Sequence, residues 1–90
     1  MNNDQKIKTI LRQPYCRVIL PEPTSGTYSC FIPDFPGCVS QGDTWLDATA
    51  NLEEAAKAWL AAVLDMGQQV PEPQWYRKLP GLADTDPEEF

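Results

Sequence analysis

Phe31-Ile32-Pro33-Asp34-Phe35-Pro36-Gly37-Cys38-Val39-Ser40-Gln41-Gly42-Asp43-Thr44, followed by an unbroken helical pattern to Gly67, is the stretch that decides the fold. It reads as the end of a strand, a stiff corner, a short return strand and a helix start. Pro33 and Pro36 fix φ and remove two backbone donors, so the corner cannot run inside a sheet. Thr44 with Asp47 has the spacing of a capping box, which satisfies free N–H groups and sets a carboxylate at the positive helix end. From Trp45 to Met66 the apolar residues Ala48, Leu52, Ala55, Ala56, Trp59, Leu60 and Val63 recur at three- and four-residue spacing, the period of one helix face. Gly67 is placed to close the helix in the left-handed region. Such a helix is ~33 Å long at the standard rise. A short strand measures only ~17–20 Å, so one end of the helix overhangs the sheet. Trp59 is expected to fill most of the volume between them.

Working backward from the corner, residues 27–32 alternate: Tyr28, Cys30 and Ile32 face one way and Thr27, Ser29 and Phe31 the other. Thr24-Ser25-Gly26 is turn chemistry. Before it, residues 15–20 are rich in β-branched and aromatic types and end at Pro21-Glu22-Pro23, which reads as the first strand. The fold class is therefore α+β: an antiparallel meander of three strands on one long helix. Trp75–Leu79 can form a fourth, short strand, which would give the order β-β-β-α-β. Residues 1–14 hold Ile7, Ile10 and Leu11 on one side of a helical turn and stop at Pro14. They form a short helix or a disordered lead. Residues 15–80 are read as the domain, and residues 81–90 as an acidic, disordered tail.

The chain has 90 residues and a net charge of −6. The charge is unevenly spread. In residues 1–20 four cations face Asp4, giving +3; the remainder has three cations against twelve carboxylates, giving −9. Phosphate contacts need clustered Lys and Arg, so direct nucleic-acid binding is not expected. An acidic body suits a basic protein partner. There is no histidine, which removes Ser-His and Cys-His nucleophile pairs. Cys16, Cys30 and Cys38 lack zinc-type spacing and read as small apolar packers. Asp34, Asp43 and Asp47 show no spacing that converges on a metal. No cofactor is expected. No apolar run is long enough to span a membrane and the N-terminus is polar, so a cytoplasmic location is expected.

The ordered set Tyr15-Cys16-Arg17-Val18-Ile19-Leu20-Pro21-Glu22, Gly26-Thr27-Tyr28, Pro33-Asp34-Phe35-Pro36-Gly37-Cys38, Gln41-Gly42-Asp43-Thr44, Asn51-Leu52-Glu53-Glu54-Ala55 and Gly67 with Val70-Pro71-Glu72-Pro73 resembles the HicB family of antitoxins. The resemblance implies a partial ribonuclease H-like fold without the nuclease's acidic centre. It also implies a non-enzymatic role: binding and blocking a small, basic, RNA-cleaving HicA-type toxin. Typical members carry a C-terminal DNA-binding module of roughly 40 residues or more. Here only residues 74–90 follow the matched set, and standalone HicB-like domains without the module also exist.

The residues expected to meet a partner are Asp34 and Phe35, displayed by the proline corner, and Trp45 at the start of the helix. A rigid aromatic between two prolines has the character of an interface anchor. The other reading of the same corner is a connector with Phe35 packed on the core edge. A sheet with one helix leaves a face uncovered, so a homo-dimer or homo-tetramer is expected. Two rival functions are an orphan adaptor or structural domain without a toxin, and a residual RNA-processing nuclease.

Overall fold

A computed structural model describes residues 3–78. Its elements are α1 (Asp4–Leu11), β1 (Val18–Pro21), β2 (Tyr28–Phe31), β3 (Val39–Gly42), α2 (Trp45–Asp65) and a 3-10 helix at Trp75–Lys78. The strands form one antiparallel sheet in the order β1-β2-β3. The register sets Val18, Phe31 and Val39 side by side, then Ile19, Cys30 and Ser40, then Leu20, Ser29 and Gln41, and finally Pro21, Tyr28 and Gly42. An α+β meander followed by a long helix is what the alternation and the helical period predict.

Alternation decides which rows the helix covers. Cys30 and Ile32 are buried and Ile19 and Tyr28 pack on the core, so these residues face α2. Two side chains fasten β3 to the helix directly: Ser40 Oγ donates to Ala48 O at 2.8 Å, and Asn51 Nδ2 donates to Gln41 O at 2.8 Å. Gly42 makes the contact close. A Cβ built there would lie 2.4 Å from the Ala48 nitrogen, so only glycine lets the strand end lie against the helix.

The helix begins and ends on local chemistry. Thr44 Oγ1 accepts from the Asp47 N–H at 3.1 Å, as an N-cap hydroxyl should. At the other end Gly67 has φ +69°. Its N–H reaches Leu64 O at 3.1 Å and the Gln68 N–H reaches Val63 O at 3.0 Å, the paired bonds of a Schellman motif.

Along α2 the buried residues are Ala48, Leu52, Ala56, Leu60 and Val63. Trp59 lies on the flank of this stripe and is half-buried. The expectation that it dominates the core is corrected: Phe35, at 1% exposure, is the largest fully buried side chain. The half of α2 that overhangs the short strands is covered by α1, whose Ile7 and Ile10 enter the core. The N-terminal segment is thus a packed helix. Arg17 ties the pieces together through Nε to Glu53 at 3.0 Å, Nη2 to the second Glu53 oxygen at 3.1 Å, and Nη1 to Tyr15 O at 2.8 Å.

The fourth strand does not form. Trp75–Lys78 is a 3-10 helix, and Leu79 and residues 81–90 lie outside the described residues. Gln74 and Trp75 offer their N–H groups to the Asp34 carboxylate at 3.3–3.5 Å, and Tyr76 is buried at 7%. A turn capped by a carboxylate has replaced the extended ladder.

Candidate functional site

The proline corner and the helix start have different fates. In the corner, the Phe35 N–H donates to Ile32 O and the Cys38 N–H donates to Phe35 O, both at 3.0 Å. These two bonds turn the Phe35 ring inward. It stacks on Trp59 and tilts against Tyr15, with ring centroids 4.5 and 4.6 Å away. Trp59 Nε1 closes the corner by donating to Pro36 O at 2.9 Å. Phe35 is therefore not an exposed anchor but a core residue. Nothing in the spacing of Pro33-Asp34-Phe35-Pro36 distinguishes the two outcomes; the partners that decide it come from positions 15 and 59.

Asp34 lies at the same corner with its carboxylate committed to the backbone of Gln74 and Trp75. Tyr15 OH donates to Pro71 O. Together these bonds hold the segment after α2 back across the domain. Burial raises the Tyr15 pKa above its ordinary value, and the carboxylates of Asp34 and Glu72 add to the rise. Burial likewise raises the thiols of Cys16, Cys30 and Cys38. Cys30 and Cys38 are buried free thiols, in keeping with a packing role.

Trp45 is different. It occupies the first turn of α2, is 54% exposed, and has Leu46 beside it at 61%. Asp43 and Asp47 are exposed around the pair, and Glu54 and Asp65 are exposed farther along α2. Of the four carboxylates on α2, Glu53 pairs with Arg17 at 3.0 Å and Glu54 with Lys57 at 3.1 Å, which leaves Asp47 and Asp65 without an ion pair among the described residues. The result is an acidic helix surface that starts with two uncovered apolar side chains. Leu46 was not singled out by the sequence, because its exposure depends on which side of the first turn the sheet occupies.

Among the described residues, no three His, Cys, Asp or Glu side chains converge into a set that could hold a metal ion. The groove between α1 and α2, about 330 Å³, is lined by Asp4, Ile7, Lys8, Lys57, Ala58 and Ala61. Among the described residues no helix is long and apolar enough to cross a membrane.

Fold and surface define a small α+β domain whose distinguishing feature is a long helix that begins with two exposed apolar residues, Trp45 and Leu46. Residues 15–84 match the family of the HicB_like antitoxin of bacterial toxin-antitoxin systems, and the chain belongs to that family. It is similar to the UPF0150 protein ssr1765 of Synechocystis sp., with 37% identity over 60% of this chain and 68% of that one. It is also similar to the UPF0150 protein Ta0767 of Thermoplasma acidophilum, with 32% identity over 60% of this chain and 78% of that one. No solved structure matches the chain.

Proposed function

We propose that this chain is a non-enzymatic, cytoplasmic antitoxin that binds and neutralises a small, basic, RNA-cleaving toxin of the HicA type. Membership of the HicB-like antitoxin family supports a toxin partner in general. The observation that carries the finer reading is the acidic surface of α2 with Trp45 and Leu46 uncovered at its start. Opposite charge steers a cationic protein to that surface. A desolvated indole with a rigid backbone then supplies the anchor. Trp45 takes the anchor role; Phe35 is buried against Tyr15 and Trp59, and the Asp34 carboxylate accepts from the N–H groups of Gln74 and Trp75. The partial ribonuclease H-like scaffold belongs to this reading as the frame that displays the helix. Direct nucleic-acid binding does not, since an acidic surface repels phosphate.

Growth rescue tests the proposal. The chain is expressed together with a small basic HicA-type protein, taken from the neighbouring gene where one is present, under conditions where that protein alone arrests growth. Rescue by wild type, reduced by Trp45→Ala with the circular dichroism spectrum unchanged, is the expected result. Failure of wild type to rescue would leave the orphan adaptor as the better account.

A further inference from the structure

α1 and α2 do not close on each other completely. The groove of about 330 Å³ between them takes its apolar wall from Ile7, Ala58 and Ala61 and one ammonium from each helix, Lys8 and Lys57; Asp4 adds one carboxylate. Ile7 is buried and Ala61 half-buried, but Ala58 is exposed, so the wall on the α2 side is open to water. Lys57 shares an exposed pair with Glu54. Lys6, Lys8 and Arg12, along α1 and at its end, form no ion pair among the described residues. Cations without carboxylate partners therefore gather at this helix, in a chain of net charge −6. α1 also stands outside the family match, which begins at residue 15. At eight residues it is too short to hold its shape alone.

Residues 79–90 lie outside the described residues, and we infer that their end, Glu88-Glu89-Phe90, occupies this groove. The Phe90 ring lies against Ile7, Ala58 and Ala61, and the two carboxylates meet Lys8 and Lys57. Charge selects the occupant. Residues 79–90 hold four carboxylates, Asp84, Asp86, Glu88 and Glu89, and no cation. A basic protein would set its charges against Lys8 and Lys57 and is disfavoured here. Sequence then selects the anchor. Phe90 directly follows two carboxylates, as an apolar groove with an ammonium on each side requires, whereas Leu82 stands between Gly81 and Ala83. Reach allows the contact: twelve extended residues span up to ~40 Å, against a longest dimension of 41 Å for the domain. Size agrees as well. The groove is at the low end of pocket volumes, enough for an aromatic ring and its neighbours and too small for a folded partner. Tethering supplies the rest. A segment of the same chain meets the groove at a millimolar effective concentration, so exposed ion pairs, worth up to about fivefold each, suffice to hold it. The docked segment clamps α1 onto α2, and the segments before and after the matched domain brace each other. The contact does not depend on the identity of any toxin.

Nuclear Overhauser contacts between the Phe90 ring protons and the methyl groups of Ile7, Ala58 and Ala61, in the full wild-type chain at low salt, test this directly. They should be present and should persist on dilution. In a mixture of labelled and unlabelled chains, none should cross from one molecule to another. Amide exchange reads the clamp. Phe90→Ala, and Glu88→Gln combined with Glu89→Gln, should each speed the exchange of Ile10 and Leu11 by roughly two- to fivefold. Leu52 and Leu60, in the core, should keep their rates, and raised salt should act like the carboxylate change. Absence of contacts to Phe90 would overturn the inference. So would contacts that pass between molecules, which would make the occupant a second copy, or an exchange rate in α1 that ignores every change in the segment.

Discussion

Phe35 stacks on Trp59 with ring centroids 4.5 Å apart and ring planes within 11°. The pair joins the proline corner to the overhanging half of α2, 24 positions apart in the sequence. The two rings share the contact unequally: Phe35 is fully buried and Trp59 is half-buried.

Truncation should expose that inequality. Phe35→Ala is expected to cost ~3–5 kcal/mol, the range for a buried aromatic. Trp59→Ala should cost less, about 2 kcal/mol, from the lost stack and the lost bond to Pro36 O. Denaturant unfolding of both variants and the double variant measures the two costs and their coupling. A Phe35→Ala protein as stable as wild type would return that ring to the surface.

The contact between β3 and α2 makes a second prediction. Gly42→Ala pushes a methyl into the Ala48 backbone, where the nearest atom lies 2.4 Å from the new carbon. Backbone cannot rotate aside, so the strand and helix must part, at ~3 kcal/mol or more, the upper end of overpacking costs. Gly67→Ala meets nothing within 4 Å and pays only for its positive φ, ~1 kcal/mol. Thermal melts of the two variants should rank them in that order.

Tyr15 carries a pH dependence. Its pKa is raised in the folded chain by burial first and by Asp34 and Glu72 next. The folded state therefore holds the phenol proton to higher pH than the unfolded chain does. The stability this contributes is fully present below the unfolded tyrosine pKa and is lost as pH rises through the folded one. Tyr15→Phe also deletes the bond to Pro71 O, worth ~1 kcal/mol at neutral pH. The variant should be less stable at pH 7 and lose less on going to alkaline pH. A parallel pair of stability-versus-pH curves would contradict the account.

What the sequence made legible is what short-range chemistry controls. Thr44, Gly67 and the stripe through Leu52 and Leu60 are fixed by neighbours within one or two turns, and all fall where the pattern puts them. The strands are legible in type and order, although each is only four residues long, because the flanking turns take up the rest. Residues 75–78 misled, since Trp75 and Tyr76 have strand propensity while the structure-forming partner, Asp34, lies 41 positions before Trp75. The candidate site divided the same way. Trp45 lies where helix geometry places it, at an exposed first turn. Phe35 does not, because a ring between two prolines turns outward or inward according to what residues 15 and 59 offer it.

The central claim is that the acidic α2 surface, anchored at Trp45, binds a small basic toxin. Titration calorimetry of the purified chain against a small basic HicA-type protein, taken from the neighbouring gene where one is present, at low and at high salt, tests this most directly. The account predicts a saturable complex whose affinity falls as salt rises, and a Trp45→Ala chain that binds at least tenfold more weakly, the ~1.4 kcal/mol or more expected of an anchor residue. Absence of binding at low salt, or a complex indifferent to both salt and Trp45, would contradict it.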